Sequence, residues 1–159
     1  MKRLAGFLIL VLLGLTQQAV AEEEVVKKVV YDLTTGEIQR FETGLLSGIV
    51  AHKTYYHSKL EELDVRVVVH GRAYKFFMQD LNNTAFAFEK SLVAKKEALG
   101  KRLKTLARQY GVHFQVCLAG VKHRDLDTKA FYPFVTFVHN AAVGLIDAQN
   151  EGYAYLPLQ

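Results

Sequence analysis

Three side chains that can do chemistry follow stretches of the sequence that are typical of β-strands. Cys117, the only cysteine, ends one apolar stretch, and His70 and His139 follow the apolar residues 65–69 and 134–138. The carboxyl ends of parallel strands meet at one edge of a sheet, and open α/β sheets bind their ligands beyond that edge. We therefore expect a thiol nucleophile and two imidazoles, which can take its proton, at one edge of a sheet.

A covalent mechanism would depend on Cys117. A thiol at a strand end that faces the first turn of the next helix has a lowered pKa, because helix N–H groups favour the thiolate. A buried structural cysteine is the alternative, and this environment is common for cysteine. A Cys–His–Asp hydrolase is conceivable from the residue types, but no nucleophile-elbow or cysteine-protease signature surrounds the thiol. One cysteine also excludes an intramolecular disulfide.

Other candidate residues could form a binding site. Thr34, Thr35 and Gly36 form a turn before a predicted helix, and backbone amides at a helix start can hold an anion. Thr34 and Glu37, three residues apart, equally fit a capping box, which would make this turn structural. Each histidine is also consistent with a structural role. The remaining candidate binding residues are His70, Gly71, Arg72, His139 and Asn140.

No motif predicts a metal or a cofactor. The sequence has no His-x-x-x-His pair and only one thiol, so no metal site is predicted. It also has no GxGxxG motif and no P-loop lysine motif for a nucleotide. Without Lys2 and Arg3 the formal net charge falls from +4 to +2, which removes the compositional argument for nucleic-acid binding.

The first 21 residues have the composition of a secretory signal peptide. Lys2 and Arg3 precede an apolar stretch over residues 4–15, and Ala19 and Ala21 form a small-x-small cleavage site. The apolar stretch is shorter than the roughly 20 residues of a membrane-spanning helix. We therefore predict cleavage after Ala21, export to the periplasm, and one domain over residues 22–159 that no membrane segment anchors.

Apolar spacing in this domain predicts strands that alternate with helices. Such an order is typical of an α/β domain whose parallel sheet lies between layers of helices. The cationic face of the longest helix, which includes Lys96, is expected to be solvated, although it could dock an acidic partner. The predicted strands are 25–33, 65–69, 112–117, 134–138 and 153–156, and the predicted helices are 38–50, 74–81, 91–110, 121–131 and 140–149, with a turn at 118–120.

The domain resembles the DsrE/DsrF-like family of sulfur-relay proteins. The segments that carry the resemblance are VVYDLTTG at residues 29–36, VVVHG at 67–71, FQVC at 114–117 and EGYAY at 151–155. The resemblance implies a three-layer α/β/α sandwich with a mainly parallel five-stranded sheet, and homo-oligomers, often trimers or hexamers. It also implies that Cys117 occupies the position of a cysteine that carries sulfane sulfur as a persulfide. Residues 118–120, Leu-Ala-Gly, depart from the Gly-Asn that follows this cysteine in many relatives.

Two hypotheses about function follow. In the first, the protein is an exported sulfur carrier or sulfurtransferase-like relay protein that forms a persulfide on Cys117 and exchanges sulfur with a thiol-bearing donor or acceptor protein. In the second, it is a non-catalytic homo-oligomeric module that binds a small anion or a partner at the rim formed by Thr34, Thr35, Gly36, His70 and Asn140. Whether the protein is an enzyme is left open between them. A reactive Cys117 favours the first hypothesis, and a buried, unreactive one favours the second.

Overall fold

The structure, a computed structural model, describes residues 26–159 and is built on a five-stranded sheet. The strands are β1 (Val26–Leu33), β2 (Glu62–Val69), β3 (His113–Cys117), β4 (Val135–Val138) and β5 (Ala154–Leu158). Their order across the sheet is β4-β3-β2-β1-β5, and every neighbouring pair is parallel. This confirms the predicted fold class. The predicted signal peptide lies outside the described residues.

Helices lie on both faces of the sheet and complete three layers. Both faces of a parallel sheet need cover, because its strands are rich in apolar side chains on both sides. The larger core cluster includes Leu45 and Leu103 from helices on one face, whereas Ala148 packs on Val30 and Val68 on the other face. The helices are α1 (Ile38–Arg40), α2 (Gly48–His57), α3 (Tyr74–Phe77), α4 (Lys90–Gln109), α5 (Leu118–His123) and α6 (Ala141–Asn150).

A π-helical segment, Phe41–Ser47, joins α1 to α2 without a break. The spacing of Phe41, Leu45 and Ile49 predicts one buried helix face, and all three side chains are fully buried. The wider π turn also brings Leu46 into the core, where it is 1% exposed. π-Helical segments are rare in proteins, and those that occur are often found near functional sites.

The chain after β3 differs from its prediction. The turn predicted at 118–120 is wrong, because α5 begins at Leu118 directly after the strand. The helix predicted over 121–131 ends at His123. Two residues later, Asp125 adopts a left-handed φ of 52°, which stops helical winding. Only a short 3₁₀ turn, Thr128–Ala130, follows before β4.

Lys96 corrects the expectation that the cationic face of α4 is solvated throughout. Its ammonium group donates to the carbonyl oxygen of Met78, and it lies 2.9 Å from the hydroxyl oxygen of Tyr132. Burial lowers the pKa of Lys96 to about 8. Lys95 and Lys101 stay exposed on the same helix and pair with glutamates.

Leu103 tests the packing of α4 against the sheet. Leu103 is fully buried, whereas Val93 on the same helix is 50% exposed. Leu103→Ala should lower the free energy of unfolding by about 2–5 kcal/mol, because it leaves a cavity in the core. Urea unfolding measures this change, and the control Val93→Ala should stay within about 0.5 kcal/mol of the native protein. Equal losses in the two variants would contradict this packing.

Candidate functional site

The connections that leave β3 and β4 lie on opposite faces of the sheet. The connection that leaves β3 includes Val121 of α5, which belongs to the larger core cluster, whereas β4 leads into α6 on the opposite face. An open α/β sheet forms a crevice where neighbouring strands send their connections to opposite faces, and ligands bind there. Cys117 ends β3 at this point, and His139 follows β4. The N–H of Ala119 donates to the carbonyl oxygen of His139 at 3.1 Å and ties the two ends together.

Cys117 lies under Tyr74 at this switch point. The residue is 6% exposed, and the Tyr74 hydroxyl donates to its carbonyl oxygen at 3.1 Å. Burial, and after it the hydrogen bond with Cys117, raise the pKa of Tyr74 above the ordinary tyrosine value, while the positive charge of Arg124 opposes that rise. The guanidinium carbon of Arg124 lies 5.8 Å from the centre of the Tyr74 ring. The end of β3 that carries the thiol therefore has a phenol bonded to its backbone and a cation beyond the phenol.

Gly120 makes room for the Tyr74 hydroxyl. A Cβ atom added at Gly120 would lie 1.9 Å from the Tyr74 Oη atom, far inside van der Waals contact. The glycine is thus required by the contact that holds Tyr74 over the end of β3. It is the third residue of the Leu-Ala-Gly sequence that departs from the pattern of many relatives.

A second group of polar side chains spans β1, β2 and β5. Asp32 is 8% exposed, and its Oδ1 atom lies 2.6 Å from Nε2 of His70. The Tyr155 hydroxyl donates to the other carboxylate oxygen, Oδ2, at 2.6 Å. This hydrogen bond is the main reason that the pKa of Tyr155 is raised. Both oxygens of one buried carboxylate therefore hold side chains from neighbouring parts of the sheet edge.

The turn after β1 is fastened by β5 and by the segment after β2. The N–H groups of Thr34 and Thr35 both donate to the carbonyl oxygen of Leu158, at 3.0 and 3.3 Å. These two amides are therefore engaged within the fold. The Thr35 hydroxyl accepts from the N–H of Glu37 at 3.2 Å, so the capping box predicted from Thr34 is not formed.

Arg72 and Gly71 pack against this turn. A Cβ atom added at Gly36 would lie 2.8 Å from the Cβ atom of Arg72. Gly71 adopts a left-handed φ of 64°, which lets the N–H of Arg72 reach the carbonyl oxygen of Thr34 at 3.1 Å. The structure thus brings the two predicted binding turns into direct contact.

The residues after β4 have a simpler arrangement. The Asn140 side chain caps α6, since its Oδ1 accepts from the N–H of Val143 at 2.9 Å. His139 is exposed. Within residues 26–159, no hydrogen bond or ion pair links the Cys117 thiol to His70, Arg72 or His139. The roles predicted for these residues stay predictions.

Four residues that shape the site were missed as site residues in the sequence: Tyr74, Gly120, Arg124 and Tyr155. In the sequence, Tyr74 is one of several aromatic residues in a predicted apolar helix. Tyr155 is one residue of the last predicted strand, and nothing in its neighbourhood marks it as part of a site. Asp32 ends the apolar stretch before the Thr34 turn, and its carboxylate holds His70 and Tyr155. Only the strand order reveals that β5 lies beside β1.

The part of the chain from 26 to 159 contains no group of three or more His, Cys, Asp or Glu side chains arranged to hold a metal ion. Over the same residues, every helix is too short or too polar to cross a bilayer.

Comparison with known proteins identifies the family. The model of the DsrE/DsrF-like family matches residues 28–158. The chain belongs to the DsrE/DsrF-like family. Cys117 and the Asp32–His70 pair both lie within the matched residues of this DsrE/DsrF-like chain.

Two relatives have no assigned function. An uncharacterized protein of Aquifex aeolicus (strain VF5) is 31% identical over 91 residues, which are 57% of this chain and 38% of that protein. The match thus spans less than half of that relative's length. The solved structure of MTH1491, a protein of unknown function from Methanobacterium thermoautotrophicum, has a TM-score of 0.57 at 17% identity and covers 82% of this chain and 98% of that chain. At this identity the likeness shows a shared fold.

The contact between Gly120 and Tyr74 gives a stability test of the site. Gly120→Ala should lower the free energy of unfolding by about 1–3 kcal/mol, because Tyr74 is buried and cannot move aside freely. Adding Tyr74→Phe removes the colliding hydroxyl, so the double variant should lose less than the sum of the two single variants.

Urea unfolding of the native protein and the three variants completes this cycle. Gly48→Ala is the matched control, because an added Cβ there meets only the carbonyl oxygen of Thr43 at 3.6 Å. A Gly120→Ala protein as stable as the Gly48→Ala protein, or strictly additive losses, would show that the hydroxyl does not occupy this space.

Proposed function

We propose that this DsrE/DsrF-like protein is a sulfur carrier that holds sulfane sulfur as a persulfide on Cys117. The observation that carries the proposal is the position of Cys117 at the switch point between β3 and β4. The family relationship adds support, because sulfur-relay members use a cysteine at a strand end. Whether sulfur transfer is the protein's whole activity does not alter this role for the thiol.

The chemistry requires two exchange steps. In the first, the Cys117 thiolate attacks a sulfur atom of a polysulfide, the S–S bond at that atom breaks, and the shortened polysulfide leaves with the bond's electron pair. In the second, the thiolate of an acceptor attacks the outer sulfur of the persulfide, and Cys117 leaves as the thiolate. The two steps move one sulfur atom and need no external oxidant or reductant.

Arg124 supplies positive charge for these steps, and Tyr74 holds the end of β3 in place. Each step develops or releases negative charge on the Cys117 sulfur, and a cation nearby stabilises such charge. Tyr74 donates its one hydroxyl hydrogen to the carbonyl oxygen of Cys117 at 3.1 Å, so its hydrogen bond positions the backbone that carries the thiol. The cation of Arg124 lies beyond the ring and lowers the cost of negative charge nearby.

The second candidate is a non-catalytic homo-oligomeric module that binds a small anion or a partner. The 6% exposure of Cys117 favours it, because a carrier thiol must be reached by its donor. Apolar side chains exposed on α6 and β5 support self-association: Ile146 is 54% exposed, Tyr155 44% and Leu156 38%. In this candidate the binding rim consists of the turn after β1 and the His70–Arg72 segment.

We also propose that the protein acts in the periplasm after signal cleavage, on the basis of the sequence of residues 1–21. When the whole sequence is expressed in a Gram-negative host, the periplasmic fraction should contain a chain that begins at Glu22, as measured by intact-mass spectrometry. Ala21→Arg should block cleavage, because the site needs a small residue. A soluble cytoplasmic chain that keeps residues 1–21 would contradict export.

Intact-mass spectrometry after exposure to polysulfide tests the carrier function. The protein should gain the mass of one sulfur atom, and dithiothreitol should remove it. Cys117→Ser should gain nothing, and since Cys117 is the only cysteine, no other thiol can account for the adduct. Circular dichroism of Cys117→Ser provides the folding control. A folded native protein whose thiol stays unmodified would overturn the carrier function and favour the binding module.

A further inference from the structure

Asp32, His70 and Tyr155 form a hydrogen-bonded chain that takes no part in the two exchange steps described above. The His70 Nε2 atom lies 2.6 Å from Asp32 Oδ1, and the Tyr155 hydroxyl lies 2.6 Å from Asp32 Oδ2. Asp32 is 8% exposed, whereas the His70 side chain keeps 28% of its surface accessible. The carboxylate is therefore withdrawn from solvent, and the imidazole lies between the carboxylate and solvent.

This hydrogen bond determines which nitrogen of the neutral imidazole carries the hydrogen. A carboxylate has no hydrogen to donate, so the hydrogen between the two groups belongs to His70 Nε2. In the neutral ring the other nitrogen, Nδ1, then carries the free lone pair. Tyr155 holds the second carboxylate oxygen and so keeps Asp32 from turning away from the ring. A histidine held in this way by a carboxylate has the arrangement of a general base.

The strand register brings the backbones of His70 and Cys117 to the same level of the sheet edge. Val69 of β2 pairs with Val116 of β3, so the next residues along the two strands are His70 and Cys117. Leu33 of β1 pairs with Val69, and Asp32 is the residue before it. The base and the thiol therefore stand at the ends of neighbouring strands, at the same level of the sheet edge.

Other titratable or charged groups surround this position on several elements. Asp32 reaches His70 from β1, and Tyr155 acts through Asp32 from β5. Groups on the neighbouring segments at this edge are Arg72 and Tyr74 after β2, Cys117 at the end of β3, and His139 after β4. Only Asp32 makes a hydrogen bond or an ion pair with the His70 ring among residues 26–159.

We propose that His70 is the base that deprotonates a neutral acceptor thiol, so that the thiol can remove sulfur from Cys117. The proposal rests on the carrier function above and defines its acceptor as an alkyl thiol, such as a cysteine, which is mostly protonated at neutral pH. Asp32 and Tyr155 are positioning residues, because they act through the imidazole and do not touch the reacting atoms.

The protons and electrons of this step balance. His70 Nδ1 takes the proton of the acceptor thiol, and the new thiolate forms a bond to the outer sulfur of the Cys117 persulfide. The S–S bond to Cys117 breaks and its electron pair stays on the Cys117 sulfur, which leaves as the thiolate, while the accessible imidazole releases its proton to solvent. The acceptor becomes a persulfide, Cys117 becomes a thiolate again, and no net oxidation occurs.

The experiment separates unloading from loading. The native protein and His70→Gln are first loaded to completion with polysulfide and freed of excess reagent by gel filtration. Each is then mixed with 2-mercaptoethanol, a mostly neutral thiol, or with thionitrobenzoate, which is already ionised at neutral pH. Mass spectrometry follows the loss of the bound sulfur atom with time.

We expect His70→Gln to unload to 2-mercaptoethanol about 10²-fold more slowly than the native protein, at the lower end of the range for general bases. Unloading to thionitrobenzoate should change by less than about threefold, because that acceptor has no proton to give up. A merely structural role would slow both acceptors equally. Asp32→Asn should repeat the selective loss, and Tyr155→Phe should show a smaller one.

Exposed residues provide matched controls: His123→Gln and Asp147→Asn change the same residue types elsewhere and should leave both rates unchanged. Circular dichroism and urea unfolding check that each variant folds. If Asp32→Asn does not fold, because Asp32 is buried, Tyr155→Phe replaces it in the test. Equal unloading of the native protein and His70→Gln by 2-mercaptoethanol would overturn the role of His70 but leave the carrier function intact. A native protein that never loads would overturn both.

Discussion

The parallel hydrogen-bond ladder of the five strands is the constraint from which the rest of this structure follows. Each strand must run in the same direction as its neighbours, so the chain has to return across a face of the sheet after every strand. Every carboxyl end consequently reaches the same edge. The polar and reactive side chains of the candidate site lie at this edge, because the middle of β1 and β2 is lined mainly by buried apolar side chains.

Two clusters of polar side chains lie at this edge, and different contacts hold each of them in place. Cys117 lies under Tyr74, and the phenol can come so close because Gly120 has no Cβ atom. Asp32 instead gathers His70 and Tyr155 by using both oxygens of one carboxylate. A buried carboxylate is costly unless it is hydrogen-bonded, and this one is bonded to an imidazole on one side and a phenol on the other.

Much of the fold is readable from short runs of residues. The β-branched run that ends at Val69 predicts a buried strand, and Phe41, Leu45 and Ile49 predict one buried helix face. The π-helical conformation of Phe41–Ser47 cannot be predicted from the spacing of apolar residues. A π turn differs from an α turn in its backbone hydrogen bonds and not in the residue types that it needs. The left-handed Asp125, which ends α5 early, is hidden for the same reason.

The candidate site is less readable because it depends on neighbours that are distant in sequence. That His70 follows a strand is a local property, and it was predicted. That the carboxylate beside it is Asp32, and that Tyr155 holds this carboxylate, depends on β1 lying between β2 and β5. The burial of Cys117 likewise depends on Tyr74, which enters from another connection. Strand order fixes these contacts, and no periodicity in the sequence encodes strand order.

The placement of β5 beside β1 also has a consequence for how the protein folds. The first four strands are neighbours in sequence order, so each can pair with the strand that precedes it in the chain. β1 keeps an unpaired edge until β5 arrives, and the bond from Tyr155 to Asp32 spans 123 residues of the chain. Contacts of such long range form slowly, because a long loop must be closed before they contribute any stability. Asp32 therefore gains its hydrogen bond from Tyr155 only late in folding, and a chain that lacks β5 contains the thiol and the Asp32–His70 pair without this bond.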